Sequence, residues 1–137
     1  MAEKVAFELI SPERVLASVE ADMVVVPGAE GDFGVLPLHA PLVSLLRPGV
    51  IRVYEGDRVT SRTFVGSGFA VVDERGLTVL AEEAEPLEQI DLERARRRLR
   101  ELEEDLEDAK TDEERQRLER LVAVARARVE AAERPDI

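Results

Sequence analysis

The chain has 137 residues, enough for one domain or one domain with an appendage. Its formal charge of −11 and pI near 4.6 argue against a nucleic-acid or anionic-membrane partner held by bulk electrostatics. Without cysteine it forms neither a disulfide framework nor a thiolate metal site. Met1-Ala2-Glu3-Lys4 opens no apolar signal region, and no run reaches the ~20 apolar residues of a membrane helix. A soluble, cytoplasmic protein with no membrane insertion is expected.

Composition divides the chain. All 8 glycines, all 4 phenylalanines and the single tyrosine precede Leu77, whereas more than half of residues 87–137 are charged. That contrast predicts a β domain over 1–86, then helices over 87–137, with Pro86 at the joint. In the first part, Val5, Phe7 and Leu9 alternate with Ala6, Glu8 and Ile10, the period of a half-buried strand. Ser11-Pro12 ends it. Further short runs follow at Val15 to Glu20 and at Met23 to Val26, the latter expected to be buried on both sides.

Pro27 to Val43 then concentrates turn formers around short apolar pieces, Phe33 with Val35-Leu36 and Leu42-Val43. On physical grounds this is a pair of tight connections in an all-β domain, or an exposed acidic tip, Glu30-Gly31-Asp32, that touches a partner. Leu42 to Leu46, Val50 to Glu55, Val59 to Val65, Phe69 to Asp73 and Leu77 to Ala81 complete the set, separated by Pro48-Gly49, Gly56-Asp57, Gly66-Ser67-Gly68 and Arg75-Gly76. Nine to ten short strands predict a two-sheet sandwich.

Ile90-Asp91 opens a helix, with Asp91 as N-cap and Glu93 favourable in the first turn. Leu92, Ala95, Leu99, Leu102, Leu106 and Ala109 form a narrow heptad seam made for one partner helix. Thr111 and Glu114 stand at capping-box spacing, and Leu118, Val122, Ala125, Val129 and Ala132 continue the seam. Two helices of similar length in an antiparallel hairpin are expected. Folding back about residues 110–111 sets the acidic end of the first helix against Arg115, Arg117 and Arg120. It also sets Arg94 roughly opposite Arg128, with Arg126 nearby. That level is either a solvated mixed-charge face, neutralised by Glu130 and Glu133, or an anion site. So thin a seam could also open.

Catalytic signatures are missing. The single histidine belongs to no H-x-x-x-H or H-E-x-x-H pattern, and no metal site is expected. Gly66-Ser67-Gly68 lacks the spacing of a nucleophile elbow, and there is no phosphate-cradling P-loop. A non-enzyme with no required cofactor is expected.

Pro27 to Val43 closely resembles the G-x-E-G-x-(F/L)-G-(V/I)-x-P-x-H-A-P-L run of the epsilon subunits of bacterial F-type ATP synthases. The likeness continues through Arg47-Pro48-Gly49-Val50-Ile51-Arg52, Gly68-Phe69, Val79-Leu80-Ala81-Glu82, Ala84-Glu85 and Ile90-Asp91. The resemblance implies a central-stalk subunit, peripheral on the cytoplasmic face of the bacterial inner membrane. Its β domain would contact the gamma subunit and the c-subunit ring, the latter through Glu30, Gly31 and Asp32, with His39 at the same end. Its hairpin would be a regulatory arm whose basic residues, Arg115, Arg117, Arg120, Arg126 and Arg128, meet the beta and alpha subunits and inhibit ATP hydrolysis. The family's (I/L)-D-x-x-R-A motif appears as Ile90-Asp91-Leu92-Glu93-Arg94-Ala95. With Glu85, Arg126 and Arg128 it implies ATP as a regulatory ligand, although Val124 replaces one arginine of that pattern. A purely structural coupling subunit and an ATP-sensing module without inhibitory role are the alternatives.

Overall fold

The computed structural model describes residues 3–136. The protein divides after Pro86 into two compact units. The first contains β1 (Val5–Ile10), β2 (Val15–Ala21), β3 (Met23–Gly28), β4 (Gly31–Val35), β5 (Leu42–Leu45), β6 (Gly49–Glu55), β7 (Arg58–Val65), β8 (Gly68–Asp73), β9 (Gly76–Ala81) and β10 (Ala84–Pro86). They form two five-stranded sheets: sheet one in the order β2-β1-β9-β8-β5, sheet two in the order β10-β7-β6-β3-β4. Every pairing is antiparallel except β1 with β9.

Alternation explains the layering. Val5, Phe7 and Leu9 turn inward from β1, and Leu77, Val79 and Ala81 do so from β9. They meet Val24, Val26, Val35, Ile51 and Val53 of sheet two in one continuous core. Each valine, leucine, isoleucine or phenylalanine among them removes apolar surface from water, which contributes about 1.5–3 kcal/mol apiece when burial is complete. The expectation that β3 is buried on both sides holds only in part. Val24 and Val26 are buried, while Met23 and Val25 are half-buried, because they share the sheet's other face.

The crossover from sheet two to sheet one depends on glycine. Gly68 has φ +145°, and a Cβ there would lie 1.9 Å from the Leu80 carbonyl oxygen. A side chain would force β8 away from β9. The additional short strand β10 pairs with β7, Ala84 against Val65 and Pro86 against Thr63. Proline is tolerated in it because β10 is an edge strand.

The second unit begins with a single 3-10 turn, Leu87–Gln89, followed by α1 (Leu92–Glu107) and α2 (Asp112–Glu133). Asp91 caps α1 by accepting a hydrogen bond from the Arg94 amide at 3.1 Å. Thr111 caps α2 by accepting one from the Glu114 amide at 3.1 Å. The helices differ in length, 16 residues against 22, because nothing in Val122–Glu133 breaks the second. Leu102, Leu118, Val122 and Ala125 are buried between them, flanked by Leu99, Leu106, Ala109 and Leu121. The seam is narrow, as the heptad spacing predicts.

One corner of the sandwich is tied by charge. The Lys4 ammonium donates to Asp22 Oδ1 at 2.7 Å, and the Gly56 amide donates to Asp22 Oδ2 at 2.6 Å. Asp22 thereby joins the start of β1, the β2–β3 link and the β6–β7 turn. The Lys4 hydrogen bond, reinforced by the Gly56 amide, holds the Asp22 carboxyl below its ordinary value of 3.8. The same bond raises Lys4 above 10.5. A carboxyl with a depressed folded-state pKa stabilises the fold above its unfolded pKa, and that contribution is lost as pH falls through the folded value. Asp22→Asn should therefore lower the urea midpoint at neutral pH, with the deficit relative to wild type shrinking below pH 3.8. Parallel urea titrations across that range measure it; a deficit independent of pH would contradict the assignment.

Candidate functional site

The β3–β4 turn is held from three sides. Gly28 pairs with Gly31, leaving Ala29 and Glu30 as its exposed apex, and Gly31 adopts φ +138°. The Ala29 amide donates to the Leu45 carbonyl at 2.8 Å, and the Arg47 amide to the Pro27 carbonyl at 3.0 Å. The Arg47 side chain closes the third side. Its Nη1 donates to the Gly28 carbonyl at 2.6 Å and its Nη2 to Asp32 Oδ1 at 2.5 Å. Arg52 Nη2 approaches Asp32 Oδ2 at 3.4 Å. Asp32 therefore faces two guanidinium groups, and this end is a mixed-charge platform rather than a purely acidic tip.

His39 is not brought to that end. β4 carries the backbone away from the turn for five residues, about 15 Å at the rise of a strand. His39 instead lines a shallow cleft of about 380 Å³ with Lys4, Leu36, Asp73 and Arg75. Those residues belong to the start of β1 and the β8–β9 turn, at the opposite end of the sandwich. Proximity in sequence misleads here because a strand separates the two halves of the motif. The imidazole Nδ1 lies 2.7 Å from the Ala40 carbonyl, an oxygen that only accepts, so Nδ1 carries the proton.

The outer face of sheet one carries an apolar patch, which gives way to Thr78 and Glu8 in the second row. Register aligns Leu45 of β5, Phe69 of β8, Leu80 of β9 and Ile10 of β1 in one row, with Val43 and Val71 in the next. Val43 is 71% exposed, Leu45 69% and Phe69 41%. Isolated exposed apolar residues are ordinary, but a contiguous face across four strands marks a binding surface. Reading Leu42 to Leu46 as a strand gave no hint of this. The available signal was that both parities of Leu42–Leu45 and Phe69–Val72 are mostly apolar, more than one core can bury.

In the hairpin, ion pairs cross between the helices, among them Arg96 with Glu133 at 2.8 Å and Arg126 with Glu103 at 3.2 Å. Each reaches well beyond the residue that a fold-back about 110–111 sets opposite. The expected pairing of Arg115 with the acidic end of α1 is not formed; Arg115 bonds Asp112 in its own first turn at 3.1 Å. A short reach within one turn is entropically easier than spanning the seam. Arg117 and Arg120 are exposed, Ala95 is buried, and Arg128 is half-buried and engaged. Arg94 lies in the first turn of α1 with its side chain exposed; Ile90, ahead of the helix, donates its amide to the Leu87 carbonyl at 3.2 Å. Glu85 lies on β10 opposite Phe64. Among the described residues no group of three or more His, Asp or Glu side chains is arranged to hold a metal.

Two family models cover nearly the whole protein: "ATP synthase, Delta/Epsilon chain, beta-sandwich domain" over residues 4–87, and the C-terminal domain of the ATP synthase epsilon chain over residues 91–135. The protein belongs to the ATP synthase epsilon chain family. Relatives named ATP synthase epsilon chain include that of Paramagnetospirillum magneticum, 52% identical over 93% of this chain and 96% of that one. That of Maricaulis maris is 52% identical over 90% and 92% of the two sequences. Among solved structures, a chain of the Euglena gracilis mitochondrial ATP synthase, OSCP/F1/c-ring in rotational state 1, superposes with a TM-score of 0.79 at 26% identity, over 94% of this protein and 81% of that one. A chain of the Tetrahymena thermophila mitochondrial ATP synthase central stalk and c-ring gives 0.67 at 15% identity, over 95% and 97%, a likeness of fold. Epsilon chains are non-catalytic stalk subunits, so residues of interest here are those that touch partners.

Leu38 is one residue whose local chemistry opposes its conformation. The His39 amide bonds the Leu36 carbonyl at 3.2 Å, closing a turn with Pro37 second and Leu38 third. Leu38 has φ +63° and is 89% exposed. A left-handed non-glycine residue costs roughly 1–2 kcal/mol, and exposure offers little to offset it. Leu38→Gly should raise the stability of the free protein by about 1 kcal/mol, allowing for the added freedom of glycine when unfolded. Chemical denaturation measures this, and a loss of stability would show that the leucine contacts something worth more than the strain.

Proposed function

We propose that this protein serves in the central stalk of a bacterial F-type ATP synthase, on the cytoplasmic face of the inner membrane, coupling proton-driven rotation to ATP synthesis. The observation that carries this reading is the contiguous apolar face of Val43, Leu45, Phe69, Val71 and Leu80 on sheet one. Such a face is costly in water and suits a permanent clamp on the gamma subunit. The β3–β4 turn, with Glu30 exposed at its apex, is the contact to the polar loops of the c-subunit ring. Among the described residues no helix is long and apolar enough to cross a membrane, in keeping with a peripheral position.

The hairpin is the inhibitory arm. The interhelical ion pairs Arg96–Glu133 and Arg126–Glu103 are exposed and worth at most about 1 kcal/mol each, so they add little to the thin seam that holds the arm closed. On opening, Arg126 is released from Glu103 and joins Arg128 and the already exposed Arg115, Arg117 and Arg120 in meeting acidic segments of the beta and alpha subunits. ATP acts as a regulatory ligand at Asp91, Arg94 and Arg128, where it competes with Glu103 and Glu133 for the neighbouring arginines.

Two measurements test this. Val43→Glu with Phe69→Glu should weaken binding to the cognate soluble catalytic head at least tenfold, because burying a charge in that face costs more than about 1.4 kcal/mol, while leaving circular dichroism unchanged. Undiminished binding would move the clamp elsewhere. Hydrolysis by the head should slow with the full-length protein and not with residues 1–88. Equal rates would make the protein a coupling clamp whose hairpin does not inhibit.

A further inference from the structure

We propose that the stalk-binding surface wraps from the outer face of sheet one around the β5 edge onto the link 36–41, where Leu38 is an apolar anchor that enters the gamma subunit. This rests on the reading of sheet one as the clamp on that subunit. The distribution of exposed apolar side chains carries it. Of the eight large ones among the described residues, five stand between Leu36 and Leu45, and Phe69 pairs with Leu45 across β5 and β8. Leu42 pairs with the buried Val72 and shares its inward parity, yet is 37% exposed, because β5 is the last strand of its sheet. Exposure therefore continues from Val43 and Leu45 on the face, through Leu42 at the edge, to Leu38 and Leu36 beyond it. A patch that turns a corner fits a partner that turns it too, and scattered surface leucines would not line up in this way.

Leu38 is the most exposed of the set and, among the described residues, the one non-glycine with a positive φ. Glycine or asparagine adopts that conformation readily, and leucine does not. Leu38 borders the cleft that Val5, Val35 and Val72 also line, yet it does not sink into it. Pro37 presets the second position of the turn, and the His39 amide closes it on the Leu36 carbonyl. The leucine is thus presented on a fixed backbone, and a side chain already held in place loses little freedom on docking. Strain kept at so exposed a residue lowers the stability of the free protein and has its use in the bound state. The surface it fits is a concave apolar one, on the same subunit that covers Val43 and Phe69.

The test titrates the full-length protein against the cognate soluble catalytic head and measures the urea midpoint of the free protein in parallel. Leu38→Asn, polar and at ease with a left-handed φ, should hold or raise the midpoint while weakening binding about tenfold. Leu38→Gly should raise the midpoint and bind as weakly. Leu38→Met, still apolar, should recover most of the affinity. Stability and affinity moving in opposite directions is the signature of an anchor, and a residue that only packs within its own fold does not produce it.

Wild-type affinity in Leu38→Asn would make the leucine a bystander and overturn the proposal. A lower midpoint together with weaker binding would also overturn it, since the leucine would then be serving the fold. Val43→Glu with Phe69→Glu separates this from the reading beneath it. If that protein binds weakly while Leu38→Asn binds normally, the clamp stands and its extension to the link falls. If both bind normally, the clamp reading falls and takes the proposal with it.

Discussion

Burial of one layer of side chains between two sheets sets the direction of every other side chain in the β unit. With Val5, Phe7 and Leu9 facing Val24, Val26 and Ile51, strand alternation leaves Ile10, Leu80 and Phe69 no choice but the outer face. A one-residue slip in β8 would exchange Phe69 with Ala70, filling the core with a ring and emptying the surface. The outer face of sheet one is therefore as strictly specified as the core itself. Its apolar character is a property of register, and it could be changed without disturbing the interior.

The hairpin obeys a different balance. Its charged residues outnumber its buried ones, and its interior is a single seam in which Ala95, Ala109 and Ala125 contribute little area. Asp91 and Thr111 define where each helix begins, which fixes local structure without committing the pair to each other. The ion pairs Arg96–Glu133 and Arg126–Glu103 lie at the seam's margin, their side chains about half exposed and so screened by salt. Such an element is well formed in each half and only loosely joined, unlike the sandwich, where each strand has partners on both sides or a covered face.

Much of this organisation was legible in the sequence because it depends on local periodicity. The strands, both helix caps and the heptad seam follow from spacing and from residues with special backbone preferences. What was illegible depends on distance in space. His39 stands seven residues from Asp32, yet β4 intervenes and carries it to the far end of the sandwich. Asp32 reads as a free surface acid until Arg47 and Arg52, from beyond the next strand, are placed beside it. Arg115 has acids available both across the hairpin and in its own turn, and spacing alone does not choose between them. The apolar outer face escaped notice because alternation identifies which residues share a side, not which side is covered. The family pattern, by contrast, is carried by glycine and proline positions that survive without any knowledge of contacts.

The parallel pairing of β1 with β9 has a consequence for how the molecule comes into being. The first strand made sits between β2 and the ninth, so sheet one lacks its middle until residues 76–81 exist. Before then its pieces, β1 with β2 and β5 with β8, have nothing to join them. Closing a loop of that length carries an entropic penalty recovered only when the whole layer forms, which favours a late, concerted collapse over stepwise growth. A nascent polypeptide would keep its apolar strands exposed for most of its synthesis, and would acquire a finished β unit only shortly before the first helix emerges.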